Sequence, residues 1–193
     1  MDTPDRFPEG PAHADPARTD APAGIRPGTT LRTGRLGLVP LAERHAEELA
    51  AALADPALHA FTGGAPLAPE AMRARCARLA AGSPDPGVVW ANRVVRLRGA
   101  GHLVGTVQAT IFPARGEAEV AWVIGTPWQG RGFATEAARA LCAWLAELPV
   151  GRIAAYVHPD HHASAAVAAA CGLAPVPGAL RDGEVRWERV TRA

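Results

Sequence analysis

Seven residues, Trp128-Gln129-Gly130-Arg131-Gly132-Phe133-Ala134, constrain this chain more than any other stretch. A strand-like run, Glu119 to Ile124, precedes them, and a run with helical spacing follows from Thr135 to Leu148. Glycines at 130 and 132 let the backbone approach a ligand without a Cβ in the way. The following helix points its free N–H groups and the positive end of its dipole back at the same loop. Backbone, dipole and Arg131 together make an anion site suited to a pyrophosphate. Two other glycine-loop chemistries fail on the residues themselves. A dinucleotide fingerprint needs a third glycine where Thr135 stands, and a Walker-type loop needs a lysine. All 20 basic residues here are arginine.

The rest of the composition narrows the setting. A length of 193 residues suits one domain, and 48% hydrophobic with 20% charged residues supports a substantial core. A net charge of +1 without a basic stripe argues against nucleic acid or an anionic membrane as partner. No apolar run approaches the roughly 20 residues that span a bilayer. The N-terminus is polar and acidic, unlike a secretory signal. Cys76, Cys142 and Cys171 are widely spaced and form no C-x-x-C pair, so buried free thiols and a cytoplasmic location are expected. Residues 1–28 carry Pro4, Pro8, Pro11, Pro16, Pro22 and Pro27 with almost no aliphatic periodicity, and are expected to form a disordered tail. The folded domain is then 29–193.

Within that domain, apolar–polar alternation from Leu31 to Leu41 predicts a strand ended by Pro40. Glu43 to Leu53 and Pro69 to Ala81 predict two helices, the second opened by Pro69 and followed by Gly82. Val88 to Leu97 and Leu103 to Phe112 predict a hairpin around Arg98-Gly99-Ala100-Gly101, and Glu117 to Ile124 a third strand. After the glycine loop, Ala134, Ala138, Leu141, Cys142, Leu145 and Leu148 fall on one helical face. Ile153 to Val157 reads as a strand, and Ala163 to Cys171 as a helix capped by Gly172. Ala179-Leu180 and Val185 to Val190 read as a hairpin around Asp182-Gly183. The order β-α-α-β-β-β-α-β-α-β-β is that of an α+β domain with a mixed sheet.

The pattern Gln129-x-x-Gly132-x-Ala134 resembles the acyl-CoA signature of the GNAT acetyltransferase superfamily, and the element order matches that fold, a mostly antiparallel sheet flanked by helices. The segment His158 to Ser164, followed by Cys171-Gly172-Leu173, is similar to the RimJ/RimL-type branch, whose members acetylate protein N-terminal amines or small amines. The resemblance implies acetyl-CoA as co-substrate, an amine acceptor and no metal. It places Gln129, Gly130, Arg131, Gly132, Phe133, Ala134 and Thr135 around the pyrophosphate. Backbone groups of Trp122, Val123 and Ile124 would run beside the pantetheine arm as an added strand would.

The same resemblance points to catalytic groups. Glu119 matches a strand glutamate that serves as general base in several members, and a largely buried strand would desolvate it. Ser164 is the stand-in general acid, because the tyrosine usual in that role falls on Ala168 and the only tyrosine is Tyr156. His161 stands where the family commonly has asparagine, at a cofactor contact. The spacing His158-x-x-His161-His162 lacks the second half of any standard metal site. A direct N-acetyltransferase, monomeric or homodimeric, is the expected protein. A non-catalytic acyl-CoA sensor is the alternative, motivated by His161 and Ala168.

Overall fold

The computed structural model describes residues 24–61 and 63–191. Eight strands form one sheet in the order β1-β2-β3-β4-β5-β6-β8-β7, antiparallel throughout except between β5 and β6. In chain order the elements are β1 (Leu31–Arg32), β2 (Leu36–Pro40), α1 (Ala46–Ala52), α2 (Pro69–Ala80), β3 (Val89–Leu97), β4 (Leu103–Phe112), β5 (Glu117–Ile124), α3 (Phe133–Ala146), β6 (Arg152–Val157), α4 (His162–Ala170), β7 (Ala174–Arg181) and β8 (Glu184–Val190). The expected α+β class and element order hold.

Alternation along the strands builds two cores on opposite faces of the sheet. Adjacent residues of β3 divide between them: Val95 joins Leu36, Val107, Leu141, Leu145 and Ile153 against α3 and α4. Val94 joins Leu41, Leu49, Met72, Cys76 and Leu103 under α1 and α2. Arg93 is fully buried on the α3 side, its guanidinium 4.1 Å from the Trp144 ring centre and its Nε donating to the Thr29 carbonyl. Burial pushes that guanidinium's pKa down to about 10, which still leaves it charged at neutral pH. Cys142 and Cys171 share a thiol hydrogen bond between α3 and α4, which together with burial holds Cys142 in its thiol form.

Four expectations change in detail. Of the tail expected over 1–28, residues 1–23 lie outside the described residues, but Ile25 is buried in the larger core. The packed chain therefore includes residues that the proline-rich reading assigned to the tail. The single strand expected over Leu31 to Leu41 is two short strands. The turn at Thr33-Gly34-Arg35 is closed by bonds from Thr33 N–H to the Leu36 carbonyl and from Leu36 N–H to the Thr33 hydroxyl. The helix expected from Glu43 opens as a 3-10 turn over Glu43–His45 and is α-helical only from Ala46. Finally, β7 starts at Ala174 rather than Ala179. Pro175, Pro177 and Gly178 hid it, yet prolines are tolerated because β7 is the edge of the sheet.

The feature that makes a site is the single parallel pairing. Strands β5 and β6 are in register only through Glu117↔Arg152, Ala118↔Ile153 and Glu119↔Ala154. Beyond Glu119 they part, and the sheet splits.

Candidate functional site

A cavity of about 910 Å³ fills the split and runs on over the N-terminus of α3. Its β5 side is made by Glu119 through Ile124, and its far side by Tyr156, Val157 and His158 of β6 and the loop after it. Among the described residues, backbone groups on that edge of β5 past Glu119 have no strand partner, so an extended ligand could add to the edge. The end of the strand is fixed from two directions. Gln129 Nε2 donates to the Ile124 carbonyl at 2.9 Å. Gly125 lies so close to α1 that a Cβ on it would sit 2.1 Å from the Ala52 carbonyl oxygen.

The glycine loop carries left-handed backbone at Gly130 (φ 71°) and Gly132 (φ 75°), conformations that favour glycine. Gly132 is the N-cap of α3, and this brings the helix start to Phe133, two residues ahead of the expected Thr135. The first helical bond runs from Glu136 N–H to the Gly132 carbonyl. The N–H groups of Phe133, Ala134 and Thr135 consequently lack intrahelical partners, and all three residues line the cavity. Free N–H groups and the positive end of the dipole at such a helix start attract an anion.

The loop is clamped from the side by the β1–β2 turn. Arg35 donates through its backbone N–H and its Nε to Glu136, at 2.9 and 2.6 Å, and through Nη1 to the Arg131 carbonyl at 3.0 Å. Its guanidinium also lies 4.7 Å from the Phe133 ring centre. Burial works to raise the Glu136 carboxyl, but bonds from Thr33 and from the Arg35 backbone and side chain outweigh it and hold the carboxyl below its usual range.

At the vertex of the split, both carboxylate oxygens of Glu119 accept from Arg181, at 2.9 and 3.0 Å. Arg181 ends β7 at the tip of the last hairpin, with its guanidinium 3.5 Å from the centre of the Tyr156 ring. The Tyr156 hydroxyl in turn accepts from Arg186, which also pairs with Glu117 and Glu188. On the α4 side, the Phe61 ring stacks on His161 with centres 4.4 Å apart, and lies 5.2 Å from His158. Burial first, and the nearby His158 second, push the His161 imidazole below its usual pKa. Ser164 is the third residue of α4 and lines the cavity, while the N-cap residue of that helix, His161, makes no side-chain cap bond.

Of the residues singled out from the sequence, Glu119, Trp122, Val123, Ile124, Gln129, Gly130, Gly132, Phe133, Ala134, Thr135, His161 and Ser164 all line this one cavity. Arg131 does not: it is exposed, and its carbonyl rather than its side chain is tied into the loop. Gln129 likewise uses its side chain on the Ile124 carbonyl. Glu119, expected as a desolvated base, is largely buried and is also paired with Arg181 on both oxygens. Ala168 is fully buried, as a residue on the core face of α4 would be. Sequence reasoning missed Arg35, Phe61 and Arg181. Each reaches the site from a distant element, and an isolated arginine or phenylalanine carries no spacing signal. Among the described residues, no group of three or more His, Cys, Asp or Glu side chains could hold a metal ion, and no helix is long and apolar enough to cross a membrane.

Residues 35–174 match the family model described as an acetyltransferase (GNAT) domain. Among solved structures, an acetyltransferase of the GNAT family from Bacillus anthracis superposes with a TM-score of 0.70 at 19% identity, over 84% of this chain and 99% of that one. An acetyltransferase from Agrobacterium tumefaciens is similar at 27% identity and a TM-score of 0.65, over 90% of this chain and 99% of the other. RimL, a ribosomal L7/L12 alpha-N-protein acetyltransferase in complex with coenzyme A, superposes with a TM-score of 0.70 at 16% identity, covering 84% of this chain and 98% of RimL. No curated protein is a match in sequence.

Proposed function

The chain belongs to the GNAT acetyltransferase family, and from that premise we propose that it transfers an acetyl group from acetyl-CoA directly to a primary amine in the cytoplasm. The acceptor is a protein N-terminal α-amine or a small-molecule amine, as in the RimJ/RimL-like branch. One observation carries this reading. A single cavity joins the opened edge of β5 to the free N–H groups at the start of α3, and Glu119 stands where the strands part.

The residues present fit acetyl-CoA. Phe133, Ala134 and Thr135 N–H groups, with Gly130 and Gly132 shaping the approach, would hold the pyrophosphate. Backbone groups of Trp122, Val123 and Ile124 would hold the pantetheine arm. When bound, acetyl-CoA supplies an activated thioester. The chain aligns the two substrates and presents fixed backbone N–H donors to the oxyanion of the tetrahedral intermediate.

In this proposal Glu119 takes the amine proton, and Ser164, which lines the same cavity, returns one to the departing thiolate. A thiol of pKa about 8.5 is a tolerable leaving group even with weak assistance. An α-amine of pKa near 8 needs only about 1 kcal/mol to be neutral at pH 7, whereas a lysine near 10.4 needs about 4.6 kcal/mol. A site whose proposed base, Glu119, is already paired with Arg181 is better matched to the weaker base.

The pairing of both Glu119 oxygens with Arg181 favours a second reading, a non-catalytic acyl-CoA-binding domain. Mass spectrometry of peptide, ribosomal-protein and small-amine pools, with thiol release followed in parallel, separates the two. Acetylated amine with matching thiol release supports transfer. Acetyl-CoA binding without any acetylated amine supports the sensor.

A further inference from the structure

The Glu119–Arg181 pair sits inside the cavity, where an acceptor amine has to arrive, and it is an unusual thing to find across that path. Glu119 is 10% exposed, and Arg181 presents two N–H groups to it at 2.9 and 3.0 Å. An acceptor bearing only an ammonium group would have to strip this carboxylate of a bidentate partner and leave the guanidinium facing a like charge. An acceptor that carries its own carboxylate beside the amine replaces both halves of the pair at once, amine to Glu119 and carboxylate to Arg181.

Resting on the amine-transfer reading, we infer that the acceptor is an α-amino acid or a close relative, with its carboxylate held by Arg181 and its amine by Glu119. The guanidinium is prepared for this exchange. Its Cζ lies 3.5 Å from the centre of the Tyr156 ring, a contact additional to Glu119, and the Tyr156 hydroxyl is itself fixed by Arg186 at 2.9 Å. A guanidinium held against an aromatic ring has little freedom left to lose when a ligand carboxylate takes the edge that Glu119 occupies here. Part of the remaining wall is apolar, with Leu49 of α1, Leu58 and Met72 of α2, and the part on β4 beside Glu119 is polar, with Gln108 and Thr110. An apolar side chain on the amino acid matches the first part. Arg181 thus serves as a specificity-determining residue, supplied by the tip of the last hairpin.

The test is the ratio of kcat/KM for an apolar α-amino acid to that for its α-amide, read by thiol release and product mass, in the wild type, Arg181→Gln and Arg181→Lys. The wild type should favour the carboxylate at least ten-fold. Arg181→Gln should abolish that preference by raising acceptor KM, with KM for acetyl-CoA unchanged, and Arg181→Lys should restore part of it. A wild type that treats acid and amide alike, or an Arg181→Gln protein that keeps the preference, overturns the inference. If peptides or simple amines are acetylated but no amino acid is, the inference falls while amine transfer stands. If no amine of any kind is acetylated, both fall.

Discussion

Glu136, in the first turn of α3, is bonded to Arg35 twice, once from its backbone N–H at 2.9 Å and once from its Nε at 2.6 Å. The two residues are 101 positions apart, so the contact ties the β1–β2 turn to the helix that faces the cavity. An acidic residue suits a helix N-terminus on its own. Here it also fixes the guanidinium that holds the Arg131 carbonyl, and thereby the path of the glycine loop.

Glu136→Gln should therefore cost stability in a pH-dependent way. The wild-type carboxyl is held below its usual range in the folded state, so its contribution is complete above the unfolded value of about 4.3 and fades as pH falls through the folded one. Loss of charge-assisted bonds should lower the unfolding free energy by about 1.5–3 kcal/mol near neutrality. Urea unfolding of both proteins at several pH values reads the difference. A gap that stays constant down to the acid limit would show that the carboxylate charge is not what holds the turn.

Ile25→Ala should destabilise the fold by about 2–5 kcal/mol, the range for truncating a buried isoleucine. Removal of 1–23 should cost far less than removal of 1–28, because only the longer deletion takes Ile25 from the core. Thermal unfolding of the two truncations is the comparison. Equal melting temperatures would mean that Ile25 packs without stabilising.

Much of this was legible because it is local. Alternation in β3, β4 and β5, helical spacing in α3, and the glycines between them are properties of short windows. The strands, the glycine loop and α3 followed from them, the helix start to within two residues, while the ligand wall on β5 was implied by the family resemblance. What stayed hidden depends on contacts between distant segments. Ile25 looks like one aliphatic residue among prolines until the larger core closes around it. Arg181 looks like a surface charge near a turn until β7 brings it across to Glu119. The edge position that permits Pro175 and Pro177 in a strand is a fact of sheet order, which no single segment contains. Arg131 is a different case: proximity in sequence suggests a phosphate ligand, and the fold shows its carbonyl bonded to Arg35 and its side chain exposed.

Glu119→Gln should lower kcat at neutral pH by about 10²–10⁴, the usual cost of removing a general base, with acetyl-CoA affinity within a few-fold of the wild type. Gln keeps the shape and avoids the cavity that alanine would open. The pH profile of kcat with saturating acetyl-CoA is the measurement. A variant close to wild type at every pH would remove Glu119 from the chemistry and leave it as an anchor for Arg181.

The most direct test is calorimetric titration of acetyl-CoA into wild type, Gly132→Val and Arg131→Ala. Gly132 holds a φ of 75° at the N-cap of α3, so a β-branched residue forces the loop off its path at the proposed pyrophosphate site. Loss of two or three oriented N–H contacts to a charged group, at about 1.5–3 kcal/mol each, should weaken binding at least a hundred-fold. Arg131→Ala should do much less, since an exposed arginine adds mainly screened charge. Circular dichroism on the same samples confirms that Gly132→Val is folded. Folded Gly132→Val that no longer binds, beside Arg131→Ala that does, is the result the account predicts. Wild-type affinity in folded Gly132→Val would contradict it, because the glycine loop would then be a turn and nothing more.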